Sequence, residues 1–236
     1  MQNIEKIKSI SIWIFIIPFV AVNLCLIIVT NFHGFVGYMT GVYDGWGVSI
    51  DKSSFPYIDG SVSISRTVRY YPLNLIFKPA MFITSFLLIR YWLNTKIIIK
   101  HFDSSNKYIK RIMFFGIGSA IMLVIHSIFL GIKFEYDLYK LFRRIVMLSF
   151  IIFELIAQYY LIKTLYKIKN QVLYHINEKF LKIKKILIHI LIIASIIVLP
   201  FLPFDNFKFL KHALEWNVFL GVIIFYLLTH LMWKKN

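Results

Sequence analysis

Six long apolar stretches alternate with shorter basic or mixed ones along the chain. The apolar stretches lie near Ile10–Thr30, Leu73–Leu93, Ile112–Ile132, Ile145–Ile162, Ile186–Pro203 and Ala213–Trp233. Each approaches the about 20 residues that a helix needs to cross a hydrocarbon core. The pattern predicts an all-α, polytopic membrane protein. Six transmembrane helices form one domain over residues 1–236, with a long outer loop between the first and second. The remaining connections leave no room for a separate soluble domain.

That loop, Asn31 to Pro72, is the only long segment that is not strongly apolar. It holds six of the ten glycines and the turn formers Asp44-Gly45, Pro56 and Asp59-Gly60. Loops this long in compact domains are usually functional or disordered. The density of Phe, Tyr and Trp is too high for disorder. The expectation is an ordered lid over whatever site the helices form.

Composition supports the membrane reading. A hydrophobic content of 59% and a mean hydropathy of +0.72 fall outside the soluble range. A net charge of +16 would by itself suggest nucleic acid, but its placement argues against that partner. If both termini are cytoplasmic, the inner segments collect Lys96, Lys100, Lys107, Lys110, Arg111, Lys163, Lys167, Lys169, Lys179, Lys182, Lys184 and Lys185 against Glu5, Asp103 and Glu178. The outer segments mix bases and acids more evenly. This is the positive-inside asymmetry of a multi-pass protein. Trp13, Trp92, Trp216 and Trp233 fall near the expected interfaces, where Trp is enriched. Cys25 is the only cysteine, so the chain can build neither an internal disulfide nor a Cys-based zinc site.

Ionisable groups inside a membrane are costly and are functional candidates by default. At ~1.5 Å per residue, Lys78, His126 and Glu154 lie ~8, ~9 and ~13 Å below the outer edge on three different helices. One reading is a polar latch in which Glu154 accepts from Lys78 or His126 and fixes helix register. The other is a polar pocket opening outward beneath the loop. His212 and Glu215 lie just above that depth. With His126 they could in principle bind zinc, yet no HExxH-like spacing supports it, and no metal or other cofactor is expected. Ser119 and Ser127 lack a G-x-S-x-G context. Gly116 and Ala120 form a small-xxx-small pair suited to close helix approach. Arg143 and Arg144 open the fourth span. With Arg66, Arg69, Lys208 and Lys211 they add positive charge on the outer side. Guanidinium groups suit phosphate, although ordinary loop charge explains these residues equally well.

Several short motifs occur together in order. Phe55-Pro56-Tyr57-Ile58 lies in the first loop, and Tyr71-Pro72-Leu73-Asn74-Leu75-Ile76-Phe77 enters the second span. His126 lies in the third, Arg143-Arg144 opens the fourth, and Glu215-Trp216 opens the sixth. This order resembles the Frag/DRAM/Sfk family of six-span membrane proteins. That family includes a factor for GPI-anchor lipid remodelling and the damage-regulated autophagy modulators. The resemblance covers nearly the whole chain and implies lipid-linked work in a membrane.

The leading expectation is therefore a multi-pass factor, with cytoplasmic termini, that binds an anionic or glycosylated lipid of the outer leaflet. The expected ligand-binding residues are Lys78, His126, Arg143, Arg144, Glu154, His212, Glu215 and Trp216. One alternative is a membrane-embedded enzyme acting on lipid acyl or headgroup bonds, with His126, Glu154 or Glu215 as acid/base groups. Another is a small transporter, which would need polar residues continuing to the inner side.

Overall fold

Apolar runs of this length satisfy their backbone hydrogen bonds internally as helices, the form a single segment must take within a bilayer. The structure, a computed structural model, describes residues 2–31, 55–69, 71–132, 136–198 and 205–234. Six long helices carry it: α1 (Gln2–Asn31), α4 (Leu73–Phe102), α5 (Ile109–Phe129), α6 (Asp137–Lys167), α8 (Glu178–Val198) and α9 (Lys208–Met232). Short helices α2 (Pro56–Asp59) and α3 (Ile64–Thr67) precede α4, and α7 (Lys169–Val172) links α6 to α8. The long helices close into a ring in chain order. Neighbours pack as α1 with α4, α4 with α5, α5 with α6, α6 with α8 and α8 with α9, and α9 returns to α1.

Five of these helices, α1, α4, α5, α6 and α9, are long and apolar enough to cross a membrane. The fifth expected span falls on α8, which does not meet that description within the described residues. Lys179, Lys182, Lys184 and Lys185 occupy its first two turns. The apolar remainder, Ile186–Val198, covers roughly 20 Å of a ~30 Å core. The rest of the expected span, 199–203, lies outside the described residues. By contrast α4 and α6 run past their expected inner ends, to Phe102 and Lys167.

The links between helices sort into two ends. At one end, the His230 ring nitrogen contacts the Lys8 carbonyl at 2.9 Å, tying the start of α1 to the close of α9. The Asn177 amide donates to the Met232 carbonyl at 2.7 Å. Lys167, closing α6, pairs with Asp103, just past α4, at 2.8 Å. That lysine, assisted by Asn106 and Ser105, holds the Asp103 carboxyl below the usual carboxylate range. Lysines crowd this end, where the described residues begin at α1 and close after α9.

At the other end, residues 32–54 of the expected lid lie outside the described residues. The described part, 55–69, forms a cap on the start of α9. The Tyr57 ring packs on Trp216 with centroids 4.8 Å apart. The Tyr57 hydroxyl donates to Asn23 at 3.1 Å, and Asn217 donates to the Tyr57 carbonyl at 2.7 Å. Gly60 makes the close approach possible. It has φ +60°, and a Cβ there would stand 1.8 Å from the Phe209 carbonyl oxygen, so the turn demands glycine. Deeper in the bundle, the small face at Gly116 receives Trp92 of α4, whose ring would lie 2.5 Å from an added Cβ.

Candidate functional site

Beneath the cap the ring encloses a cavity of about 80 Å³, room for roughly half a dozen waters. Its walls are mostly apolar: Ile14 and Pro18 of α1, Phe77 and Met81 of α4, Leu123 of α5, Phe150 of α6 and Phe219 of α9. Pro18 lacks the N–H that would bond the Ile14 carbonyl, and both residues face this space. The polar lining is Ser65, Thr84, His126, Glu154, Glu215 and Tyr226. Three carbonyl- or proton-binding candidates separated by up to 89 positions in sequence, His126, Glu154 and Glu215, thus share one chamber.

Glu154 forms its floor. It is fully buried and joins three helices. Ser119 of α5 donates to one carboxyl oxygen at 2.6 Å, and Gln158, one turn further along α6, donates to the other at 3.0 Å. The Tyr226 hydroxyl of α9 also donates to that second oxygen. Gln158 donates onward to the Val222 carbonyl at 3.3 Å. The latch expected with Lys78 is not formed. Lys78 instead reaches the Ile128 carbonyl at 3.4 Å. Depth alone suggested that pairing, but depth says nothing about facing. Lys78 lies near the C-terminus of α5, where free carbonyls attract a cation. His126 does not bond Glu154 either; the two meet across the cavity.

Glu215 accepts the Ser65 backbone N–H at 3.3 Å, coupling the cap to α9. His212 does not reach the cavity. Its ring contacts the Gly60 carbonyl at 2.9 Å. Trp216 is fully buried and donates to the Val62 carbonyl at 2.8 Å. Both therefore fasten the cap. Arg143 and Arg144 do not act as a pair. Consecutive helical residues diverge by about 100°, and here Arg143 turns inward, near His126 and the Tyr139 ring, while Arg144 is exposed.

The main residue the sequence reading misplaced is Lys184. It was grouped with the solvated inner lysines, yet it is fully buried. Its ammonium group donates to Thr229 at 2.6 Å and lies 3.8 Å from the centre of the Phe225 ring. No carboxylate among the described residues pairs with it. A small space of about 10 Å³ beside it is lined by Tyr91, Thr95 and Thr229, and the Thr95 hydroxyl has no hydrogen-bond partner. The missed signal was periodicity. Leu181, Lys184, Ile188 and Leu191 fall on one helical stripe, and the three apolar members are buried. Polar groups thus continue from Glu154 through Tyr226 and Thr229 to Lys184, deeper than the sequence reading placed them.

Comparison with protein-family models, with curated proteins and with solved structures gives no match to this chain. Its function therefore rests on the chemistry of the cavity and the charge pattern around the bundle.

Proposed function

We propose that the chain is a six-span integral membrane protein that receives the headgroup of an outer-leaflet lipid in the cavity beneath its cap. The sixth crossing is α8. The lysine-rich end, with both termini, faces the cytoplasm, in keeping with the positive-inside asymmetry. The observation that carries the reading is the cavity itself: apolar walls with a few convergent polar groups, the usual make-up of a ligand site. Two carboxyl groups and an imidazole favour a headgroup rich in hydroxyls, which donates to Glu154 and Glu215, over a bare anion. The acyl chains would then lie along the grooves between helices. The resemblance to the Frag/DRAM/Sfk family supports lipid-linked work, and Phe55-Pro56-Tyr57-Ile58, His126 and Glu215-Trp216 all gather at this end of the bundle.

Native mass spectrometry in mild detergent tests it. The wild type should retain phosphatidylinositol in preference to phosphatidylcholine. His126→Ala/Glu215→Gln should weaken that preference about tenfold, a loss near 1.4 kcal/mol, without lowering the melting temperature. An unchanged preference would remove the cavity as the site.

One observation favours a second reading, a small transporter. The polar line from Glu154 through Tyr226 and Thr229 to Lys184 supplies the inward continuation such a protein needs. Solute or proton flux into vesicles carrying the protein, abolished in Lys184→Met, would establish that reading.

A further inference from the structure

The segment after α3, the first turn of α4 and the second turn of α6 each leave a polar atom sealed from solvent with no hydrogen-bond partner. These are Arg69 Nε, Asn74 Oδ1 and Arg143 Nε. Buried polar groups are nearly always paired in a native structure, so each such atom asks for a ligand or another explanation. Here the three lie in one neighbourhood. The Arg69 carbonyl and the Asn74 amide both lie within 4 Å of where a Gly131 Cβ would stand. Arg69 and Arg143 are close enough for their charges to repel each other.

Two guanidinium groups side by side are normally held by an acid. Neither has an ion pair among the described residues. Glu215 lies near enough to Arg69 for their charges to interact, but it faces the cavity and accepts from Ser65. Arg143 has the Tyr139 ring 5.9 Å away, a contact that leaves its Nε without a hydrogen bond. It also lies near enough to His126 to act on it electrostatically. The pair therefore lies beside the cavity, next to its lining residues His126 and Glu215.

We propose that Arg69, Arg143 and Asn74 form a phosphate-binding subsite beside the cavity, holding the phosphate of the lipid whose hydroxylated headgroup enters beneath the cap. This rests on the proposed lipid reading and narrows it to a phosphorylated lipid. Tetrahedral phosphate offers oxygens to two guanidinium forks at once, a geometry that one planar carboxylate matches less well. Asn74 takes part through either end of its amide, because its O and N assignments exchange by a flip. Arg144, one residue from Arg143, is outside the subsite because it points away from it.

The test compares three probes on purified protein: phosphatidylinositol, a phosphate-free glucosyl-diacylglycerol, and inorganic phosphate. Arg69→Gln/Arg143→Gln should retain phosphatidylinositol at least about tenfold less than wild type while keeping the glucosyl lipid. Arg66→Gln/Arg144→Gln should behave as wild type. Equal loss of both lipids, or loss of neither, overturns the subsite and leaves the cavity reading in place. If wild type binds neither lipid but inorganic phosphate raises its melting temperature and not that of the double variant, the subsite stands, its lipid source is overturned, and the cavity reading fails with it.

A measurement on the unmodified sequence covers the case in which the double variant does not fold. Phenylglyoxal labelling of wild type, read by peptide mass spectrometry, should show Arg69 and Arg143 protected by phosphatidylinositol and not by the glucosyl lipid. Arg144 should label equally throughout. Absence of that selective protection overturns the proposal.

Discussion

The Tyr226 hydroxyl donates to the Glu154 carboxyl and so fastens α9 to α6 through the interior of the ring. Both residues are buried. Removing one donor from a buried carboxyl leaves it partly unsatisfied, which costs about 1–3 kcal/mol. Tyr226→Phe should therefore destabilise the protein by that amount in detergent unfolding. The penalty should shrink by at least about 0.5 kcal/mol when Glu154 is also changed to Gln, since contacting residues are not additive. Additive losses would mean that the two groups do not depend on each other.

Lys184 and Thr229 give a second cycle. The lysine is buried with one hydroxyl acceptor and one aromatic face. Lys184→Met keeps most of the volume and removes a polar group that had to be stripped of water. It should leave stability unchanged or raise it. Thr229→Val in the wild-type background should cost about 1–3 kcal/mol, and next to nothing in Lys184→Met. Thermal unfolding of the four proteins decides it. A strongly destabilised Lys184→Met would show that the ammonium group contributes more than its contacts suggest.

Crossing by α8 has its own check. In a Cys25→Ala background, single cysteines replace Ile58, Ser104, Tyr174 and Asn206, all exposed positions. An impermeant maleimide applied to intact cells should label Ile58→Cys and Asn206→Cys. Ser104→Cys and Tyr174→Cys should label only after permeabilisation. Labelling of Tyr174→Cys and Asn206→Cys from the same side would mean that α8 does not cross.

The Asp103–Lys167 bridge predicts a pH dependence. Because Lys167 depresses the Asp103 carboxyl in the folded protein, its contribution is complete above the ordinary value of 3.8. It fades as pH falls through the lower folded value. Asp103→Asn should thus melt slightly below wild type at neutral pH. The two curves should converge in acid below the usual carboxylate range. A gap that persists there would assign the difference to something other than charge.

The helical class and most helix positions were legible because lipid exposure writes long apolar runs directly into the sequence. His126, Glu154 and Glu215, placed at nearby depths by the spans, do line one cavity, although Lys78 at the same depth does not. The partners of Glu154 were not legible. Depth places a residue along the axis but leaves its azimuth open, which is why Lys78 was matched with Glu154 while Ser119, Gln158 and Tyr226 hold it. Azimuth also separated Arg143 from Arg144. Lys184 was misplaced for the opposite reason. Its charge matches the inner lysines, but its place on the Leu181, Ile188 and Leu191 stripe of α8 buries it.

The floor of the cavity also sets an order of assembly. Glu154 is made together with Gln158, and Ser119 precedes it, but Tyr226 lies 72 positions later. While the chain is being inserted, α6 therefore carries a carboxyl that lacks one of its donors until the last long helix arrives. A chain interrupted before α9 would display that group, with the unclosed face of α1, inside the bilayer. An exposed intramembrane carboxyl is a chemical mark of an unfinished bundle, and only completion of the ring hides it.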